Sequence, residues 1–183
     1  MEPASPKAKG LVRRRSASHI PTMDLFRAAE KLMTMDDDAW DRHANPWSVY
    51  SRMSILPLLT IAIWSRAWLG WWALVPVAMV AAWTWVNPRA FAVPKTFDTW
   101  AGKGTKGERA FLARQDTPIP QHHVRWALGL TWVSAVGVPF YAYGLWAFDV
   151  FATIAGLVLI IGGKLWFVDR MVWLYEDMAR AAR

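Results

Sequence analysis

Residues 61–77, IAIWSRAWLGWWALVPV, decide the fold of this chain, because a single charged residue there separates two long apolar runs. The apolar character extends back to residue 46 and forward to residue 86. A continuous α-helix over that length would measure about 60 Å, roughly twice the thickness of the hydrocarbon layer of a membrane. The pattern therefore predicts two membrane-spanning helices joined by a tight turn around residues 66–70.

A second pair of apolar stretches, 126–146 and 150–168, is separated only by a short AFD-containing turn. The polar segment 87–125 lies between the two pairs, with a short helix expected near residues 108–114 and a loop elsewhere, including GKGTKGER at 102–109. Residues 169–183 extend the last helix into the cytoplasm. The predicted fold class is an all-α polytopic membrane protein whose four transmembrane helices form two hairpins, 46–86 and 126–168.

The N-terminal part is predicted to lie outside the membrane. Residues 1–21 are rich in Pro, Ser and basic residues and are expected to form a disordered basic tail. Residues 22–45 are predicted to contain a cytoplasmic amphipathic helix, because one helical stripe there is apolar: Leu25, Phe26, Ala29, Leu32 and Met33. That helix either lies on the membrane surface or docks on the protein's own loops.

The distribution of positive charge predicts the orientation. Of 21 Lys and Arg residues, 18 lie before residue 46, within 87–125 or after 168, whereas the two opposite turns contain only Arg66. Positive charge is retained on the cytoplasmic side, so both termini and the central loop of a multi-pass membrane protein are expected there. The net charge of +7 is then explained by topology and by anionic lipids, and no nucleic-acid partner is expected.

Several chemistries are excluded or disfavoured by the sequence. The chain has no Cys, which excludes disulfides, thiolate metal sites and cysteine nucleophiles. The GKGTKGE stretch lacks the spacing of a phosphate-binding loop, and no Ser lies in a nucleophile-elbow motif. No cofactor and no catalytic residue are therefore predicted.

Polar clusters mark the cytoplasmic end of each predicted span. They are HANPWSVYSR (43–52), VNPR (86–89), QHHVR (121–125) and VDR (168–170). Asn87, directly before Pro88, is interpreted as the C-terminal cap of the second membrane-spanning helix. Because the predicted topology brings all four clusters to one end of the bundle, any functional site is expected there.

Five basic residues are candidates for binding a lipid phosphate or another anion. Guanidinium groups pair well with phosphate, and an ionisable residue within a membrane span is a candidate functional residue. They are Arg52, Arg89, Arg125, Arg170 and Lys164. The structural alternative is that the arginines only anchor helix ends, and that the lysine reaches the cytoplasmic surface or pairs with Asn87 or Asp169.

An alternative polar site would use His43, Asn45, His122, His123 and Asp169. We predict no metal there, because no two histidines have the spacing that places them on one helical face, and adjacent histidines are expected to point in different directions. The structural alternative is that residues 43–52 only form the entry to the first span, which Asn45 or Pro46 begins.

The strings RHANPWSVYSR, IAIWSRAWLGWW, WVNPRAF and GKLWFVDRMVWLYEDM resemble an uncharacterised family of small, Trp-rich bacterial integral membrane proteins that carries only a domain-of-unknown-function label. The resemblance covers roughly residues 42–178. It implies a multi-span inner-membrane protein, and it assigns no activity and no site residues.

The expected function is a non-catalytic scaffold or accessory subunit that binds membrane lipids, anionic ones in particular, or a larger membrane protein complex. The alternative is a small enzyme that acts on a lipid or isoprenoid phosphate at the cytoplasmic surface through the Arg and His clusters. The two hypotheses differ in whether these side chains converge on one pocket.

Overall fold

The computed structural model describes residues 36–182, which are mostly helical and contain no strand. The helices are α1 (Asp37–His43), α2 (Pro46–Met53), α3 (Ile55–Trp64), α4 (Arg66–Leu69), a 3-10 turn (Gly70–Ala73), α5 (Leu74–Ala90), α6 (Trp100–Leu112), α7 (Gln121–Ala147) and α8 (Val150–Ala181). The predicted tail at 1–21 and the apolar stripe from Leu25 to Met33 lie outside the described residues.

Three helical stretches are long and apolar enough to cross a membrane: Pro46–Ala90, Gln121–Ala147 and Val150–Ala181. The prediction of an all-α protein with membrane-spanning helices is confirmed at that level. The last of these stretches continues unbroken through residues 169–181, the segment expected to extend beyond the membrane.

The first stretch has its two ends next to each other. The side-chain amide of Asn45, just before α2, donates a hydrogen bond to the backbone carbonyl of Ala92, just after α5, at 2.9 Å. Between them α3 packs on α5, and Gly70 adopts a positive φ of 54°, which side-chain-bearing residues rarely adopt. Asn45 also begins α2: its Oδ1 accepts a hydrogen bond from the Trp47 amide at 3.0 Å, and Pro46 occupies the first helical turn.

Helices α7 and α8 form the most extensive contact in the described chain. They approach closely because small residues lie at the crossing, among them Gly156, where an added Cβ would lie 2.6 Å from the Tyr141 Cα. Phe148 adopts a left-handed conformation at the turn between them, and Asp149 caps α8 by accepting from the Ala152 amide at 2.9 Å.

Helix α6 is longer than the short helix expected near 108–114, and the expectation of a loop over 102–107 is wrong. Thr99 caps its start by accepting from the Gly102 amide at 3.1 Å. Its glycines are buried, and Gly107 lies directly against the backbone of Met171 in α8. A close helix–helix approach therefore explains a glycine-rich composition that in isolation disfavours a helix.

The two halves of the bundle, helices α2–α5 and helices α7–α8, meet at the end that contains Arg66. Its guanidinium donates to the backbone carbonyls of Leu145 and Trp146, and it lies 4.1 Å from the centre of the Phe148 ring. Deeper in the bundle, the Tyr141 hydroxyl lies 2.9 Å from Thr60 Oγ1. At the opposite end, α6 packs on α8 and also contacts α2, which leaves a space between the two halves.

Candidate functional site

The space between the two halves is a cavity of about 460 Å³ where α1, α2, α3, α6 and α8 meet. This volume lies within the range of about 300–1,000 Å³ that small-molecule sites occupy. Most of the lining is apolar, including Leu56, Ile160 and Leu165, and the charged or titratable groups are His43, Arg52, Glu108 and Lys164. An apolar pocket with a few polar groups is the usual form of a ligand site.

His43 holds Arg52 in place on one wall. Nη1 of Arg52 lies 3.0 Å from Nε2 of His43, and because a guanidinium only donates, Nε2 must accept. The ring proton is therefore on Nδ1, which lies 3.3 Å from the hydroxyl of Ser48. Burial, together with the positive charge of Arg52, lowers the pKa of His43 to about 3, so the ring is neutral at physiological pH.

A buried hydrogen-bond network supports this wall and links α2 to α5. The Ser48 hydroxyl donates to Asn87 Oδ1 at 3.1 Å, and Asn87 Nδ2 donates to the Ser51 hydroxyl at 2.7 Å. The interpretation of Asn87 as the C-terminal cap of this helix is wrong, because α5 continues through Pro88 to Ala90. Asn87 instead positions the helix that carries Arg52.

Glu108 and Lys164 form an ion pair across the cavity, with Nζ 2.7 Å from Oε1. The lysine side chain is 54% exposed and the glutamate side chain 17% exposed. Burial raises the pKa of Glu108, but the charge and hydrogen bond of Lys164, with His43 and Arg52 nearby, outweigh it and leave that pKa below its usual value. Glu108 is therefore ionised, and Lys164 reaches α6 rather than Asn87 or Asp169.

Arg52 has no counter-ion in direct contact within the part of the chain that the structure describes. Its Nε is buried, and no described residue hydrogen-bonds to it. The lining residues of the cavity thus carry two positive charges, on Arg52 and Lys164, and one negative charge, on Glu108. A surplus positive charge at the end of an apolar cavity is suited to an amphiphile with an anionic head group.

The sequence model of DUF6653, a family of unknown function, matches residues 26–183. The chain belongs to the DUF6653 family. The resemblance to an uncharacterised family of this kind is thereby confirmed. No curated protein and no solved structure matches the chain.

The other three arginines of the predicted anion site lie away from the cavity in this DUF6653 member. Arg89 donates to the Trp85 carbonyl at 2.7 Å and lies over the Trp85 ring. Arg170 lies between the rings of Trp126 and Trp173, with its guanidinium carbon 4.7 and 4.9 Å from their centres. Arg125 is exposed on α7. Arg52 and Lys164 alone among the five candidates line the cavity.

The residues of the alternative polar site also lie in different parts of the structure. His43 lines the cavity, Asn45 caps α2, and Asp169 accepts a hydrogen bond from the Trp100 indole at 3.1 Å. Only His122 and His123 lie together, at the start of α7.

The expectation that these two histidines point apart is wrong, because their ring centres are 4.0 Å apart. His123 Nε2 lies 2.9 Å and His122 Nε2 4.0 Å from Asp177 Oδ2, and the three ligand atoms lie within 4.8 Å of one another. Asp177 is also paired with Arg180 at 3.0 Å. The hydrogen bond between His123 and Asp177 joins the start of α7 to the end of α8 and explains the group, and we propose no metal there.

Sequence reasoning missed Glu108, although a signal was present. Thr105, Glu108 and Leu112 all line the cavity, and their spacing of three and four residues places them on one face of α6. That periodicity becomes visible only when residues 100–112 are taken as a helix.

Proposed function

We propose that this protein binds an anionic membrane lipid in the cavity and acts without catalysis, as a scaffold or accessory subunit at the cytoplasmic face of the bacterial inner membrane. One observation carries the proposal. Apolar walls end at Arg52, a half-buried cation whose buried Nε has no hydrogen-bond partner, and which no carboxylate contacts directly, among the described residues.

The proposal includes a topology of two transmembrane hairpins. The contact between Asn45 and Ala92, and the positive φ of Gly70, support two crossings within residues 46–90. The same stretch is 45 residues long, which as one straight helix would far exceed the membrane thickness. The positive-inside distribution supports a cytoplasmic position for the cavity, which residues of α1 and α6 line in part.

An anionic lipid matches both the position and the chemistry of the cavity. In this topology Arg52 and Lys164 lie near the ends of their spans, at the depth of the lipid head groups, while Leu56 and Ile160 lie deeper. A lipid phosphate or carboxylate receives charge-assisted hydrogen bonds from the guanidinium, and its chain covers the apolar walls. Binding of the lipid would bury the apolar surface of the cavity and would give Nε of Arg52 a hydrogen-bond partner.

A non-catalytic role is supported by the hydrogen bonds and protonation states of His43 and Glu108. Both ring nitrogens of His43 are engaged, one by Arg52 and the other by Ser48, and Glu108 is held ionised by Lys164. Neither group offers a free base or acid at neutral pH, as general acid–base catalysis requires.

The rival function is an enzyme that acts on a lipid or isoprenoid phosphate. The observation in its favour is that His43 and Arg52 do converge on one cavity. Conversion of a bound phosphate ester by the purified protein, lost in His43→Gln, would replace our proposal with this one.

Arg52→Gln tests the binding function. We expect wild-type protein, purified in mild detergent, to carry an anionic lipid in native mass spectra, and the variant to bind that lipid roughly tenfold more weakly and so to show lower occupancy. The reason is that a charge-assisted hydrogen bond contributes about 1.5–3 kcal/mol, which corresponds to roughly tenfold or more in affinity. Co-purifying membrane proteins, identified in the same preparation, report on the accessory role.

Arg89→Gln is the matched control, because it removes an arginine from a neighbouring span end without altering the lining of the cavity. It should leave occupancy unchanged. Equal lipid occupancy in the wild type and in Arg52→Gln would contradict the proposed function.

A further inference from the structure

The charge of the cavity is set by three side chains from three different helices. Arg52 of α2 and Lys164 of α8 contribute one positive charge each, and Glu108 of α6 contributes one negative charge. His43 adds none, because it accepts a hydrogen bond from Arg52 at Nε2 and is therefore neutral. The lining residues thus sum to a single positive charge.

Glu108 is placed where the head group of a bound lipid must lie. Its carboxylate binds Nζ of Lys164 at 2.7 Å, so one of the two cations is already neutralised before any ligand enters. An anion that approaches Arg52 and Lys164 also approaches this carboxylate. One negative charge on the ligand balances the remaining cation, whereas a second one would face Glu108 without a counter-ion in a poorly solvated space, where unpaired charge is costly.

We infer that Glu108 makes the cavity selective for amphiphiles whose head group carries a single negative charge, a deprotonated carboxylate or a phosphodiester, and that it discriminates against dianionic phosphomonoesters. This inference rests on the proposed lipid-binding function and names the class of ligand. Carboxylates ionise well below pH 7, and a phosphodiester carries one charge, whereas the second ionisation of a phosphomonoester occurs near pH 6.

The experiment compares head groups on one chain. Full-length protein in a non-ionic detergent is titrated at pH 8 with four single-chain amphiphiles of equal chain length: a carboxylate, a phosphodiester, a phosphomonoester and an uncharged alcohol. We expect the wild type to bind the carboxylate or the phosphodiester at least about tenfold more tightly than the phosphomonoester, and to bind the alcohol most weakly. The relative Kd of the two monoanions distinguishes a fatty acid from a phospholipid as the source of the ligand.

Glu108→Gln is the decisive variant, because it keeps the shape of the side chain and its capacity to accept a hydrogen bond from Lys164 while raising the charge of the cavity to two. The ratio of phosphomonoester to monoanion affinity should rise by about tenfold or more. Glu176→Gln is the matched control: Glu176 also bridges α6 and α8, through Lys103 at 3.0 Å, but does not line the cavity. The ratio of phosphomonoester to monoanion affinity in Glu176→Gln should equal that of the wild type.

Lys164→Gln provides a second measurement if Glu108→Gln does not fold. It lowers the charge of the cavity to zero, so the same ratio should fall rather than rise. An unchanged ratio in either folded variant, or tightest wild-type binding of the phosphomonoester, would overturn the inference while leaving anionic lipid binding in place. Failure of the wild type to bind any of the anions, or equal binding of the alcohol, would instead contradict the proposed function.

Discussion

Gly107→Ala should detach α6 from α8 and lower the free energy of unfolding by about 3 kcal/mol. A Cβ at this position would overlap the carbonyl oxygen of Met171 and lie 2.6 Å from its carbonyl carbon. Both partners are helical backbone, so neither can rotate away as a flexible side chain would. Since α6 carries Glu108, the same change should disrupt the cavity and abolish lipid occupancy.

Thermal unfolding in detergent measures the effect. Gly129→Ala is the control, because no atom outside its own helix lies within 4 Å of an added Cβ there, and alanine is the better helix former. We expect the control to match or slightly exceed the wild type. An unchanged melting temperature for Gly107→Ala would mean that α6 does not pack on α8 as described.

Gly156→Leu should have an effect at least as large, on the pairing of α7 with α8. The close approach of Gly156 to the backbone of Tyr141 leaves no space for a side chain, and association of helices in membranes depends on such small-residue contacts. We expect a loss of about 3 kcal/mol or more, together with displacement of the Tyr141 hydroxyl from Thr60.

Gly162→Leu is the matched control in the same helix, since an added Cβ at Gly162 meets no atom within 4 Å. Its melting temperature in detergent should stay close to that of the wild type, whereas Gly156→Leu should melt well below it. Similar melting temperatures for the two leucine variants would contradict the described crossing of α7 and α8.

The long apolar helices could be predicted from the sequence because hydropathy along the chain is sufficient for them. The runs on either side of Arg66 need no partner to be recognised, and Asn45 with Pro46 is a local helix-start signal that the structure places at the start of α2. These features depend on residues close together in the chain, and no tertiary information is required.

Helix α6 was mostly missed because its stability depends on packing. Three glycines within 102–107 disfavour a helix in water, and tertiary packing explains them: Gly104 lies against Val168, Gly107 against Met171, and Gly102 against the backbone of Phe97. Asn87 was misinterpreted for a related reason: Pro88 suggests a helix end, yet the bonds to Ser48 and Ser51 hold α5 helical through it.

The cavity combines groups that are far apart in sequence. Lys164 and Glu108 are separated by 56 residues, and His43 and Arg52 belong to two helices joined by a bend at Ala44 and Asn45. Hydropathy and motif spacing carry no information on which polar residue of one helix faces which of another. The sequence therefore predicts a site among the polar clusters, but it does not indicate that His43, Arg52, Glu108 and Lys164 line one cavity.

The two-hairpin topology is the central claim, because the cavity faces the cytoplasm only if residues 46–90 cross the membrane twice. The chain contains no Cys, so single cysteines can be introduced at Trp71, Thr96 and Ala182, all of which are exposed. In intact cells, a membrane-impermeant thiol reagent should label Trp71→Cys and should label Thr96→Cys and Ala182→Cys only after permeabilisation. Labelling of Thr96→Cys in intact cells, with Ala182→Cys protected, would contradict the two-hairpin arrangement.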